Sequence, residues 1–190
     1  MDQRGSESSG DPFAEIERLR EKIAGLEERV KILDALAHQD VLLPVPNRRG
    51  FMRELEYLIG RVSRYGESAA MLFVDIDGLK RINDSFGHKA GDEALIQVAD
   101  VLANGVRKSD CVARLGGDEF GILLAHADEN RARETAERLT RLIDEHEGDC
   151  DGNRLPLGVA IGMTIIGAND TPESVIGRAD RAMYREKSAA

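Results

Sequence analysis

The chain of 190 residues contains no uninterrupted apolar run near the length of a membrane span, which excludes a transmembrane helix as its organising element. It has no tryptophan and 42% apolar residues, the composition of a soluble protein. Its length accommodates one domain of ordinary size with a short appendage. Only two cysteines are present, Cys111 and Cys150, far apart and in no metal-ligand spacing. A disulfide between them is not excluded, but such sparse usage fits a reduced, cytoplasmic compartment better. The start shows neither a secretory signal pattern nor a lipidation motif. Excess positive charge is missing too: the net charge of −9 argues against a general nucleic-acid surface, which needs a basic patch. A nucleotide substrate stays open, because a bound metal and a few lysines reverse a local field.

What is present is organised around Arg114-Leu115-Gly116-Gly117-Asp118-Glu119-Phe120. Cys111–Ala113 before it and Phe120–Leu124 after it read as strands, so Gly116 and Gly117 fall at a two-residue hairpin turn. Glycine permits positive φ and leaves room for a flat ligand against the backbone. Asp118 and Glu119 then open the second strand on opposite faces. Gly-Gly-Asp alone is ordinary hairpin chemistry. A second acidic strand end, Leu72-Phe73-Val74-Asp75-Ile76-Asp77 followed by Lys80, makes the pair informative. Two strands ending in carboxylates, beside a lysine and a glycine turn, suit a divalent metal and a polyphosphate.

Residues 1–12 are rich in Gly, Ser and Asp and are expected to be disordered. Residues 13–39 carry a heptad pattern, with Ile16, Ile23, Val30 and Ala37 at one seam position and Leu19, Leu26 and Leu33 at the other. This pattern favours a parallel two-stranded coiled coil. In that register Glu15 faces Arg20 of a second copy, Lys22 faces Glu27, and Arg29 faces Asp34, all attractive. A single amphipathic helix packed on its own domain is the alternative. Pro44 and Pro46 break the pattern, and the catalytic-type domain is expected over 40–190. Within it the spacing predicts helices over 48–64, around 80–84, over 92–105, over 129–147 and from 171 to 187, with strands at 69–75 and 157–166. Strands and helices alternate around a central hairpin. The expected fold class is therefore α+β, a mixed or mostly antiparallel sheet flanked by helices, and not a doubly wound one.

Residues 40–187 resemble the GGDEF, or diguanylate cyclase, family. The matching stretches are Asp75-Ile76-Asp77-Gly78-Leu79-Lys80, Ile82-Asn83-Asp84-Ser85-Phe86-Gly87-His88, Gly91-Asp92, Gly116 to Phe120, and Ala179 to Tyr184 with Lys187. The resemblance implies a nucleotide-cyclase-like fold that condenses two GTP molecules into cyclic di-GMP with release of two pyrophosphates. It implies a magnesium (or manganese) site at Asp75, the Ile76 carbonyl, Asp118 and Glu119. Asp118 matches the proposed proton acceptor, and Glu119 beside it can share either role. Lys80 matches a lysine that stabilises triphosphate charge. The backbone of Gly78 and Leu79 would cradle phosphates, and Lys187 would add a phosphate contact, although a solvated surface lysine is an equal reading. Asn83 and Asp92 match the guanine-reading pair. An ionised Asp can accept from guanine N1–H and N2–H₂, which adenine does not offer. His88 is either a substrate contact or a structural histidine.

Arg107 and Asp110 form the RxxD pattern that resembles the family's inhibitory product site, with Arg138 and Arg61 as secondary contacts. One stretch departs from the family: Asp40-Val41-Leu42-Leu43-Pro44 has Leu-Pro where Thr-Gly is usual, while Asp40 and Arg48 are expected to form the ion pair that shapes this turn. The expected protein is a cyclase dimerised through its N-terminal helix and governed by a regulator acting on that helix. The competing class is a non-catalytic GTP or cyclic di-GMP receptor.

Overall fold

The computed structural model describes residues 12–189. The expectation of disorder over 1–12 lies, apart from Pro12, outside the described residues. The chain divides into two compact units, one ending at Ala37 and one beginning at His38. Helix α1, Pro12–His38, makes up the described part of the first, its last residue being the first of the second unit. Its seam residues are open: Ile16 and Leu19 are 46% exposed, Val30 64% and Leu33 63%. Glu15 pairs with Arg18 and Arg20 with Glu17 along the same helix. Such exposed pairs are worth a few tenths of a kcal/mol, roughly 0.3–0.5, and exchange readily for pairs to another copy.

The second unit runs α2 (Arg48–Tyr65), β1 (Ala69–Ile76), α3 (Leu79–Phe86), α4 (His88–Asn104), β2 (Cys111–Gly116), β3 (Glu119–Ala125), α5 (Glu129–Asp144), β4 (Gly148–Cys150), β5 (Asn153–Leu155), β6 (Val159–Ile165) and α6 (Pro172–Ala189). Four strands form a sheet in the order β2-β3-β1-β6, and every neighbouring pair is antiparallel. This is the antiparallel form of the expected α+β sheet flanked by helices. A separate hairpin, β4–β5, was not anticipated from the sequence. Helix α4 begins four residues before the expected Asp92, and α5 ends three residues short of Glu147.

The central strand β1 is covered on both faces, so its sequence is a continuous apolar run without alternation. Its parity still sorts the core. Ala70, Leu72, Val74 and Ile76 join one cluster with Ile82, Val98, Leu102, Leu139 and Ile143 of α3, α4 and α5. Met71 and Phe73 join the other with Phe51, Leu55, Val175, Ala179 and Met183 of α2 and α6. Helix α6 lies hard against β6: a Cβ on Gly162 would stand 2.6 Å from Met183 Cα, with backbone atoms of the helix nearer still. Glycine at 162 is thus what lets α6 settle onto the sheet and fixes where its last turn arrives.

The first residues of the second unit are zipped onto the rest of it. Gln39 bridges Pro46, the Asn47 N–H donates to the His38 carbonyl (2.9 Å), and the Arg114 N–H donates to the Pro46 carbonyl (2.9 Å). Asn47 caps α2 by accepting from the Arg49 and Gly50 N–H groups. Asp40 does not pair with Arg48 as expected. Its Oδ1 accepts from the Leu42 and Leu43 N–H groups and faces Arg114 Nη1 at 3.4 Å. The side chain of Arg114 emerges from the sheet beside this turn and is the cation within reach.

Candidate active site at the end of the central strands

In the antiparallel register Asp75 of β1 stands opposite Glu119 of β3. Both have the parity of Phe73 and Leu123, so they occupy the face covered by α2 and α6. The hairpin that delivers Glu119 differs from expectation by one residue. Gly116 pairs with Glu119, and the register slips between Arg114 and Gly116, leaving Leu115 as an inserted, buried residue. The two turn residues are therefore Gly117 and Asp118. Asp118 sits in the turn and not on the strand, so the opposite-face expectation does not apply to it. Gly117 has φ of +53°, the left-handed region that favours glycine. The Asp118 carbonyl accepts from the Ile76 N–H at 3.1 Å, which ties the turn to the end of β1.

The turn has a second brace that the sequence did not suggest. Arg114 Nε and Nη2 both donate to the Gly117 carbonyl, at 3.0 and 2.8 Å, while Nη1 faces Asp40. One half-buried guanidinium therefore holds both the Asp40 turn and the glycine turn. An arginine two residues before a Gly-Gly pair was the visible signal.

Burial and neighbouring charge act on Asp75 and Glu119. Burial pushes Asp75 above the ordinary carboxylate range, opposed by Lys187 and reinforced by Asp118 and Asp77. Burial likewise raises Glu119, helped by Asp118, Asp75 and Asp180, and opposed by Arg48. Two facing carboxylates that are harder to ionise, Asp75 and Glu119, call for a cation. One is supplied by the chain: Lys187 Nζ donates to Asp75 Oδ1 and lies 3.7 Å from Asp77 Oδ1. Among the described residues, no group of three or more Asp, Glu, His or Cys side chains is arranged to hold a metal ion unaided. The oxygen donors fit a hard divalent ion that takes a few protein ligands and completes its shell elsewhere.

A model of the family described as diguanylate cyclase, GGDEF domain, matches residues 37–190. The chain belongs to the GGDEF family. Its relatives include the diguanylate cyclase DgcP of Pseudomonas aeruginosa, 34% identical over 92% of this chain and 27% of that protein. Another is the diguanylate cyclase TpbB of the same species, 36% identical over 95% of this chain and 42% of that protein. The chain thus spans less than half the length of these relatives. Among solved structures, the GGDEF domain of TpbB superposes with a TM-score of 0.73 at 35% identity, covering 77% of this chain and 92% of that one. The diguanylate cyclase SiaD of P. aeruginosa, in complex with its activator SiaC, gives 0.77 at 27% identity over 94% and 72%. The coiled coil and GGDEF domain of DgcB from Caulobacter crescentus gives 0.86 over 94% and 95%; at 23% identity it speaks for the fold alone.

In this GGDEF domain the remaining expected residues fall into two further groups. Gly78 and Leu79 lie where β1 passes into α3, Gly78 as the left-handed residue that caps it (φ +68°). Lys80 follows, exposed on the first turn of α3. The leading N–H groups of a helix have no intrahelical partner and suit an anion. Asn83 lies on α3, half-buried, with its side chain against Gly91 of α4; Asp92 and His88 are exposed on that helix. Gly116 and Gly117 are exposed at the hairpin tip.

The second group lies apart. Arg107, Asp110 and Arg138 line one cleft of about 370 Å³, joined by His126, Arg131 and Arg141. Asp110 also braces the backbone around the cleft, accepting from the Arg107 N–H (3.0 Å) and the Ala125 N–H (3.2 Å). Arg61 is not among the residues lining this cleft. It pairs with Glu67 at 2.7 Å. No helix among the described residues is long and apolar enough to cross a membrane.

Proposed function

We propose that the protein is a diguanylate cyclase acting as a parallel homodimer joined through α1, each copy holding one GTP. The observation that carries the reading is the cross-strand pair Asp75–Glu119 with Asp118 in the adjoining turn. A magnesium or manganese ion held by Asp75, the Ile76 carbonyl, Asp118 and Glu119 would supply positive charge to the phosphate oxygens. Asn83 and Asp92 take the guanine edge, Gly78 and Leu79 present N–H groups to the phosphates, and Lys80 adds charge as the leaving group departs. Asp118, with Glu119 beside it, accepts the proton of the 3′-hydroxyl. The oxygen of that hydroxyl forms the new ester bond to the α-phosphorus of the other copy's GTP, and the α–β anhydride bond breaks to release pyrophosphate. The same transfer in the opposite direction closes the ring.

Linkage through α1 would present the second half-site at a local concentration far above bulk. The open apolar seam of α1 supports this, and a regulator acting on that helix would set how the halves meet. The arginine-lined cleft around Arg107 and Asp110 supports inhibition by bound cyclic di-GMP, since arginine clamps phosphate and guanine bidentately. Arg138 shares that cleft, and Arg61 stands outside it as a secondary contact. The same cleft favours a second reading, a non-catalytic cyclic di-GMP receptor. Incubation with GTP and magnesium, reading pyrophosphate and cyclic di-GMP together, separates the two. Turnover that vanishes in Asp118→Asn supports the cyclase; a verified dimer that binds cyclic di-GMP yet releases no pyrophosphate refutes it.

A further inference from the structure

The side chain of Lys187 occupies the position that the metal reading assigns to a cation. Its ammonium sits on Asp75, within 3.7 Å of Asp77, and is drawn also by Asp118. Asp75 has little other access to charge: its side chain is 14% exposed, while that of Lys187 is 40% exposed. An ammonium and a divalent ion on the same carboxylate oxygens repel each other, so both cannot hold Asp75 at once. The backbone of α6 is fixed by its close seat on Gly162, so adjustment falls to the lysine's four-carbon stem. Room for that exists. Asp77, Gly78, Arg81 and Lys187 share one open groove, of about 870 Å³, at the N-terminus of α3.

We propose that Lys187 is a resident counter-ion that an incoming metal must displace, and that the triphosphate provides its alternative seat. This rests on the cyclase reading of Asp75 and of the Gly78–Lys80 phosphate cradle. The consequence is positive coupling: metal binds Asp75 weakly alone and tightly together with nucleotide, and each ligand raises the affinity for the other by the same factor. In an unloaded site Asp75 stays paired, and divalent ions are held only weakly there.

The test measures manganese binding to the full chain from the free-ion paramagnetic resonance signal, with and without a non-hydrolysable GTP analogue. Lys187→Met should raise the nucleotide-free manganese affinity about tenfold, the worth of one charge-assisted hydrogen bond, and shrink the enhancement by the analogue to match. Lys187→Arg, which keeps the cation, should behave as the parent does. Nucleotide-free affinity that is unchanged or lower in Lys187→Met overturns the proposal and leaves the lysine as a structural tie for α6. Asp75→Asn, run in parallel, keeps the two readings apart. If it retains manganese binding, the metal assignment fails and this inference with it. If it loses binding while Lys187→Met is silent, only the exchange fails.

Discussion

Replacing Gly91 by alanine adds one methyl group outside the set of residues assigned to contact GTP, and its effect should appear almost entirely at guanine. A Cβ at 91 would stand 2.8 Å from Asn83 Cγ, and closer still to Oδ1. Ordinary contact begins near 3.4 Å, so the amide must withdraw by about 0.6 Å at Cγ and further at Oδ1. The obstructed atoms are the far end of a side chain, so the backbones of α3 and α4 need not part. Helix propensity favours alanine over glycine by up to about 1 kcal/mol, which offsets the local crowding. Stability should therefore change by less than ~1 kcal/mol, or a few degrees in melting temperature for a domain of this size. The guanine contact of Asn83 is worth roughly 1–3 kcal/mol if its loss leaves a donor or acceptor unpaired, a five- to hundredfold weakening of GTP affinity. Calorimetric titration with a GTP analogue and with an ATP analogue reads this directly. GTP affinity should fall while affinity for the ATP analogue changes little. Undiminished GTP binding would refute the placement of Asn83 at the base, and a collapse in melting temperature would refute the claim that only a flexible amide moves.

Two further perturbations address the scaffold. Arg114→Ala removes both donors to the Gly117 carbonyl and the partner of Asp40, and should cost about 2 kcal/mol while speeding amide hydrogen exchange at residues 117–119; exchange unaltered at the turn would show that the brace is idle. Asp170, just before α6, is held well below the usual carboxylate range, first by its two-point pair with Arg178 at 2.7 Å, then by the Gly167 N–H and Ser174. A depressed carboxylate stabilises the fold above its unfolded value near 4 and loses that contribution as pH falls through the folded value. Asp170→Asn should therefore melt lower at pH 7, by several degrees for a loss of about 2 kcal/mol. The gap should narrow steadily below about pH 4; a gap constant down to acid pH would contradict the assignment.

The carboxylate ends of β1 and β3 were legible because ionised residues closing apolar runs are rare without a purpose, and α2 was legible as the helical pattern that follows the break at Pro44 and Pro46. The hairpin register was not. Counting the Gly pair as the turn ignores a bulge, and whether Leu115 pairs or is inserted depends on packing that no local pattern encodes. The β4–β5 hairpin carried its own signal, Asp151-Gly152, both at positive φ, which is easily passed over because each strand is only three residues long. The ion pairs were the least legible. Asp40 pairs across 74 positions with Arg114 and Asp75 across 112 with Lys187, distances along the chain at which charge alone does not choose a partner.

Strand parity explains why a site built from so few groups draws on stretches as far apart as 75 and 187. On the α2–α6 face, Asp75 and Glu119 stand in register at the end of the two central strands, where α6 can reach them. The groups proposed to bind phosphate and base come instead from α3 and α4, which pack on the opposite face. A ligand touching both sets must therefore lie across the end of the sheet, over the Ile76–Asp118 backbone bond, and not on either face. That position requires a short, fixed turn at 117–118 on one side and a left-handed step at Gly78 on the other, and both are present. On the proposed reading the glycines and the carboxylates serve the same end: the former open the end of the sheet to a nucleotide, and the latter charge it.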